Sequence, residues 1–288
     1  MNFGMRSRKE KRMLEQKGQL FFDTEETGLT VKRIEKMIRE DEISPLYPIA
    51  IDHFLNLTPL ITTCAPKDLQ WLKMEYTVPY FMDLAFRCRS NVYGVIFTRL
   101  DEKGKMEYFN NLGFQIDKCR KYNIIPTLLP FTPDNTIASI SGDKWCLIDA
   151  ESYWNEGRII PVKPDEDTPV GVYASMGEWE QLNNAVMAYV EDLCNKAKVK
   201  ECLYQSFPGT DPSICWIDKD GVFNWMIIRT IIEDSDGDKP NFPEEVIEKL
   251  KKVKGKGHLC TAILSNPRTK GVLPRGEGVD IRMEIEDI

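Results

Sequence analysis

Histidine is nearly missing from this chain, with two in 288 residues. His53 and His258 stand far apart, and neither has a sequence neighbour that would complete a catalytic dyad or a metal site. Cysteine occurs eight times but never as Cys-x-x-Cys. The thiols sit singly, mostly within apolar segments, where free cysteine behaves as a small hydrophobe; this predicts core thiols in a reducing compartment and no zinc or redox site. There is no Gly-x-Gly-x-x-Gly, Walker loop, nucleophile elbow or His-Glu-x-x-His, so the common signatures of nucleotide binding, serine hydrolysis and metalloproteolysis are lacking. No run approaches the ~20 apolar residues that span a bilayer, and residues 1–15 contain no apolar core of a signal peptide. The expected location is the cytoplasm, without a membrane partner.

Positive charge is also in deficit: 38 Lys and Arg stand against 45 Asp and Glu, a net −7. Binding to phosphate backbones rests on basic patches that release counterions, so nucleic acid is disfavoured as a partner and a protein favoured. The lysines and arginines cluster at 6–12, 32–39, 196–200 and 249–256, on predicted helices or helix ends, where cations suit a solvated face and the helix C-terminus. What the chain does have is apolar side chain, 42% of the residues, enough to form a sizeable core.

The pattern predicts an α/β (α+β) protein with two small mixed β-sheets flanked by helices. Residues 1–45 read as an N-terminal helical arm, with Val31, Ile34, Met37 and Ile38 on one stripe. A first domain is expected over 46–162 and a second over 170–288, joined by the proline-bounded charged segment 163–169. Residues 68–88 read as a helix broken near Pro79. Strands follow at 92–100, 124–129 and 144–149, with a helix over 110–122 between the first two. In the second half a long helix begins near Ser175 and Glu178, spaced as a capping box, and Trp179, Leu182, Val186 and Val190 repeat along it. Strands are expected at 201–207, 213–218, 222–232, 258–264 and 279–285, with a helix over 242–253. Lys219, Asp220 and Gly221 read as the turn of a hairpin. The two halves share a strand, helix, strand rhythm, which fits either a tandem duplication or the ordinary β-α-β period.

Two groups of carboxylates could carry chemistry. Asp149 and Glu151 end an apolar strand, where residues two apart share a face, and with Asp143 they could hold a divalent cation; a solvated loop is the competing reading. Asp165, Glu166 and Asp167 read as linker charge. Trp145, Trp154, Trp216 and Trp225 could stack on bases, but their apolar neighbours favour core packing.

The second group lies between Glu178 and Arg229. A helix carrying Glu180 is followed by a strand, by Asp211 and Pro212 entering the run SICWID, by the hairpin, and by a strand ending WMIIRT. This order resembles the core of the PD-(D/E)XK, or restriction-endonuclease-like, nucleases over residues 178–264. The resemblance implies a helix glutamate and a strand aspartate, Glu180 and Asp211, holding Mg²⁺, with a Glu-x-Lys on the next strand activating water. The positions matching Glu-x-Lys are Ile227 and Arg229: a hydrocarbon where a hard cation needs a carboxylate, and a guanidinium that does not surrender its proton. The expectation is a non-catalytic protein-binding module on a degenerate nuclease scaffold, with no cofactor. The alternatives are a metal-dependent nuclease or phosphodiesterase using Asp211 and Glu180 with Mg²⁺, or a small-molecule enzyme with an interdomain pocket.

Overall fold

The computed structural model describes residues 22–23, 69–73, 81–108, 112–138, 147–168, 174–197, 199, 201–235, 240–252 and 255–288. The predicted N-terminal helical arm, His53, Asp143 and Trp145 lie outside them, apart from a short strand β1 (Phe22–Asp23).

The first half builds a mixed sheet from β2 (Leu69–Lys73), β3 (Leu84–Cys88), β4 (Asn91–Leu100), β5 (Met106–Tyr108), β6 (Ile125–Phe131) and β7 (Ile148–Asp149). Its order is β2-β3-β4-β6-β7, with β5 also pairing with β4. β4 and β6 run parallel, as a crossover through helix α1 (Leu112–Lys121) requires. The predicted helix over 68–88 is therefore corrected: its described residues include the antiparallel strands β2 and β3. Leu84, Phe86 and Cys88 enter one core while Ala85 enters the other, so burial on both faces hides the alternation that marks a strand.

β4 is buried in the same two-sided way, Val92 and Ile96 toward α1 and Tyr93, Val95 and Phe97 opposite. Where its neighbour changes from β3 to β5, the Phe97 N–H would lose its ladder acceptor. Asp83 supplies one, its Oδ2 lying 2.7 Å from that nitrogen. After β7 the chain forms α2 (Ala150–Glu156) and the single turn α3 (Pro164–Asp167). Residues 163–168 pack on the first sheet: Thr168 is buried, with its hydroxyl 2.8 Å from that of Tyr93.

The second half opens with α4 (Glu178–Asp192), extended by a π-helical turn, Leu193–Ala197. The predicted capping box is displaced by two residues: Gly177 is the N-cap, and Glu180 reaches back to its N–H at 3.0 Å. Then come β8 (Glu201–Tyr204), β9 (Thr210–Asp211), β10 (Ile214–Ile217), β11 (Phe223–Ile232), α5 (Glu244–Lys251), β12 (Lys256–Ser265) and β13 (Asp280–Asp287). The order is β8-β10-β11-β12-β13, antiparallel except for β11 with β12, which are parallel on either side of α5; β9 pairs with β1 instead. In the predicted hairpin, Asp218 Oδ1 accepts from the N–H groups of Asp220 and Val222, and Gly221 takes φ +81°.

Leu182, Ala185, Val186 and Val190 on α4 cover one face of this sheet, and Val246 and Leu250 on α5 cover part of the other. Apart from β5, which only the first sheet has, both sheets follow one path: three antiparallel strands, a helix, a parallel strand and an antiparallel last strand. Among the described residues no helix is long and apolar enough to cross a membrane.

The halves meet through rings. Trp179 and Phe207 enter the core beneath α1, where Phe81 lies 4.8 Å from Phe207 and 6.4 Å from Trp179, edge to face, with Tyr122 5.5 Å from Phe207. The Tyr122 hydroxyl donates to the Pro208 carbonyl at 3.1 Å, so the polar tip of that ring is satisfied as well.

Candidate functional site

Asp211 sits at the end of β9 with no exposed surface, facing Arg229 near the middle of β11. The register that places Ser213 beside β11, with the Ile228 N–H donating to Ser213 Oγ at 3.0 Å, carries Asp211 to that position. The guanidinium meets the carboxylate as a fork: Nη1 lies 2.8 Å from Oδ1 and Nη2 2.5 Å from Oδ2. Nη1 also donates to the Ile228 carbonyl and Nε to that of Asn241. Burial pushes the Asp211 carboxyl above its usual range, and the hydrogen bonds and charge of Arg229 pull it back. Ile227 is buried in the core beneath α5 with Val246 and Leu250.

Glu180 lies elsewhere. In the first turn of α4 it is buried with Arg275, whose Nε and Nη2 approach Oε2 at 2.8 and 2.5 Å. The same guanidinium donates to the Ser90 carbonyl at 2.8 Å and to that of Asn123 at 3.4 Å, both in the first half. Asp211 and Glu180 thus each belong to an arginine of their own. Sequence reasoning missed Arg275 because its partners lie 95 and 185 residues away in the chain.

The acidic pair after the first sheet also separates. The strand ends at Asp149 and α2 begins at Ala150, so the two-residue alternation that would put Asp149 and Glu151 on one face stops there. Asp149 is the N-cap of α2, accepting from the Ser152 N–H at 2.6 Å. Glu151 forms a fork with Arg120 at 2.5 and 2.6 Å, whose hydrogen bonds hold its carboxyl below the usual carboxylate range. Among the described residues no three His, Cys, Asp or Glu side chains gather where they could hold a metal ion.

His258, expected to lack a partner, has two: Nδ1 lies 2.6 Å from Asp287 Oδ1 and Nε2 3.4 Å from Asn224 Oδ1, with the ring stacked on Trp216. Trp216 and Trp225 are core residues as expected, whereas Trp154 is 52% exposed. Cys88, Cys119, Cys215 and Cys260 are buried thiols, and burial pushes those of Cys119 and Cys215 well up and that of Cys260 up to about 12.

One buried ionic cluster had no sequence signal. Lys73 follows a β-bulge at the end of β2, and its Nζ donates to the Met82 carbonyl at 2.5 Å. Burial lowers its pKa to about 8, with Asp83 and Cys119 opposing. Burial raises Asp83 to about 6, opposed by the Phe97 hydrogen bond and by Lys73, and Asp83 Oδ1 is buried without a hydrogen-bond partner among the described residues. The apolar pattern around Lys73, with Leu69 and Trp71 packed on one core and Leu72 on the other, gives no warning of a charge there.

Comparison of the chain with family models, with curated proteins and with solved structures gives no match.

Proposed function

We propose that this chain is a non-catalytic binding protein on a nuclease-like scaffold, with a protein rather than a nucleic acid as its partner. The observation that carries this reading is the Asp211–Arg229 fork. Both oxygens that would serve a hard cation are committed to a guanidinium that cannot be deprotonated at physiological pH. The second metal carboxylate of the nuclease pattern is replaced by Ile227, a core residue. Glu180 is committed to Arg275 and to the N-cap of its own helix. This donor set does not suit Mg²⁺, which needs near-octahedral oxygen ligation.

The order of α4, β8, β10, β11, α5 and β12 is the order that the resemblance implies, and it supports the scaffold part of the reading. The common strand path of the two halves supports reading them as a tandem repeat. The net charge of −7 supports a protein partner, and the buried thiols support a cytoplasmic setting.

The test is incubation of the full chain with single- and double-stranded DNA and with RNA, in Mg²⁺ or Mn²⁺, alongside melting curves in the same metals. The expected result is no cleavage above a chelated control and an unchanged melting temperature. Metal-dependent cleavage that disappears in Asp211→Ala would overturn the reading and restore the hydrolase alternative.

A further inference from the structure

We propose that the outer edge of β13 binds an extended segment of a partner protein as an added antiparallel strand, one in which basic residues alternate with aliphatic ones. Such a site rests on the binding reading above and gives the partner a stated chemistry.

β13 is the last strand of the second sheet, and among the described residues it pairs only with β12. An open strand edge is a template for another strand, and folded proteins ordinarily blunt it by keeping edges short or bulged. The other edges of the two sheets are of that kind: β7 has two residues, β8 has four, and β2 has five with a bulge between Trp71 and Lys73. β13 instead runs for eight residues in unbroken register with β12.

The ladder fixes which groups this edge offers. The Ile288 N–H donates to the Gly257 carbonyl at 3.0 Å, one step beyond the His258–Asp287 pair. In an antiparallel ladder every second residue turns both its N–H and its C=O to the same neighbour. Asp280, Arg282, Glu284 and Glu286 therefore give theirs to β12, and Ile281, Met283, Ile285 and Asp287 turn theirs outward.

Side chains decide the occupant. Ile281 and Met283 pack against the core under α4, and Ile285, on the same face, is 47% exposed. The opposite face carries Asp280, Glu284 and Glu286, all exposed, with Arg282 held between Glu284 at 2.6 Å and Glu233 at 3.9 Å. Counting Asp287, the strand bears four carboxylates against one arginine, so a second copy of it would bring together two edges of the same net sign. A basic strand neutralises that excess, while its aliphatic residues continue the row of Ile281, Met283 and Ile285 and cover the exposed member.

The probe is a short fluorescent peptide alternating lysine with valine, titrated onto the full chain by anisotropy, with a peptide alternating glutamate with valine as its opposite. Valines lying on the Ile285 face of an antiparallel strand direct their N–H groups at β13, and the lysines direct theirs away. The peptide N-methylated at its valines should therefore bind about tenfold or more weakly than the one N-methylated at its lysines, as the loss of a few hydrogen bonds requires. Ile285→Pro removes one outward N–H and leaves the ladder to β12 in place, and should weaken binding by about tenfold. The double variant Glu284→Lys, Glu286→Lys should turn the preference to the glutamate peptide, whereas Glu102→Lys, in the turn after β4, should bind as the natural chain does. No binding of the lysine peptide at millimolar concentration, equal binding of the two methylated forms, or an unaltered preference in the double variant overturns the assignment. So does a dimer in sedimentation that Ile285→Pro separates, because a second copy would then occupy the edge. Should Ile285→Pro fail to fold, the methylated pair and the charge reversal decide the matter. The cleavage assay above tests the non-catalytic reading and this titration tests the edge, so the failure of either is seen separately.

Discussion

Replacing Arg229 by methionine keeps the length of the side chain and removes its charge, which isolates what the fork contributes. Asp211 has no exposed surface and Arg229 is 20% exposed, so water cannot take over the role of the lost guanidinium. With charge centres ~4 Å apart and an effective dielectric of ~20, the attraction is worth about 4 kcal/mol. Stranding the carboxylate should therefore cost about 3–5 kcal/mol. The double variant Asp211→Leu, Arg229→Met removes both charges and should recover much of this, leaving a coupling energy of about 2–3 kcal/mol. Urea denaturation of the two singles and the double gives the cycle directly. Because burial already raises Asp211, losing its arginine raises it further, and the folded state then holds the proton more tightly than the unfolded one. The Arg229→Met deficit should accordingly shrink as pH falls toward the ordinary carboxylate range. A cost under about 1 kcal/mol, or singles that simply add up to the double, would refute the claim that these two groups neutralise each other.

Arg275→Ala should cost about 3–5 kcal/mol by leaving Glu180 buried alone and the Ser90 carbonyl without its donor, readable as a fall in the urea midpoint. Asp83 titrates near 6 in the folded chain against 3.8 unperturbed, so its contribution is complete at low pH and is lost as pH rises from about 4 through 6. That loss is worth about 3 kcal/mol, and Asp83→Asn should flatten this limb of the stability curve; an unchanged limb would count against it. Lys73, lowered to about 8, acts with the opposite sign: stability should rise with pH from 8 toward 10.5, and Lys73→Met should abolish that rise. Gly257→Ala should be destabilising by about 1–3 kcal/mol, because its Cβ would meet the buried Trp225 ring at 2.4 Å, and a neutral effect in thermal melts would contradict the packing.

The sequence makes some parts of this fold plain and conceals others for physical reasons. β4 and β11 stand out because both are β-branched and aromatic over ten residues, and α4 because its apolar stripe recurs at helical spacing. β3 was hidden since a strand buried on both faces has no polar alternation to betray it, and β2 is short and interrupted by a bulge. At the candidate site, the nuclease-like order of elements drew attention to Asp211 and Arg229 as separate positions, and the structure adds that the two face each other. No local pattern gives the pairing of Glu180 with Arg275, because it depends on how one half lies against the other. Asp149 and Glu151 looked like a pair only while the strand was assumed to continue.

The rings of Phe81, Tyr122, Trp179 and Phe207 set an order of events during synthesis. The first sheet leaves the ribosome with its α1 side incompletely covered, and that surface stays oily until the chain around residue 207 emerges to seal it. Neither half made alone would therefore be a faithful miniature of the whole, and cutting the chain between them should yield two sticky fragments that cover these rings only when mixed.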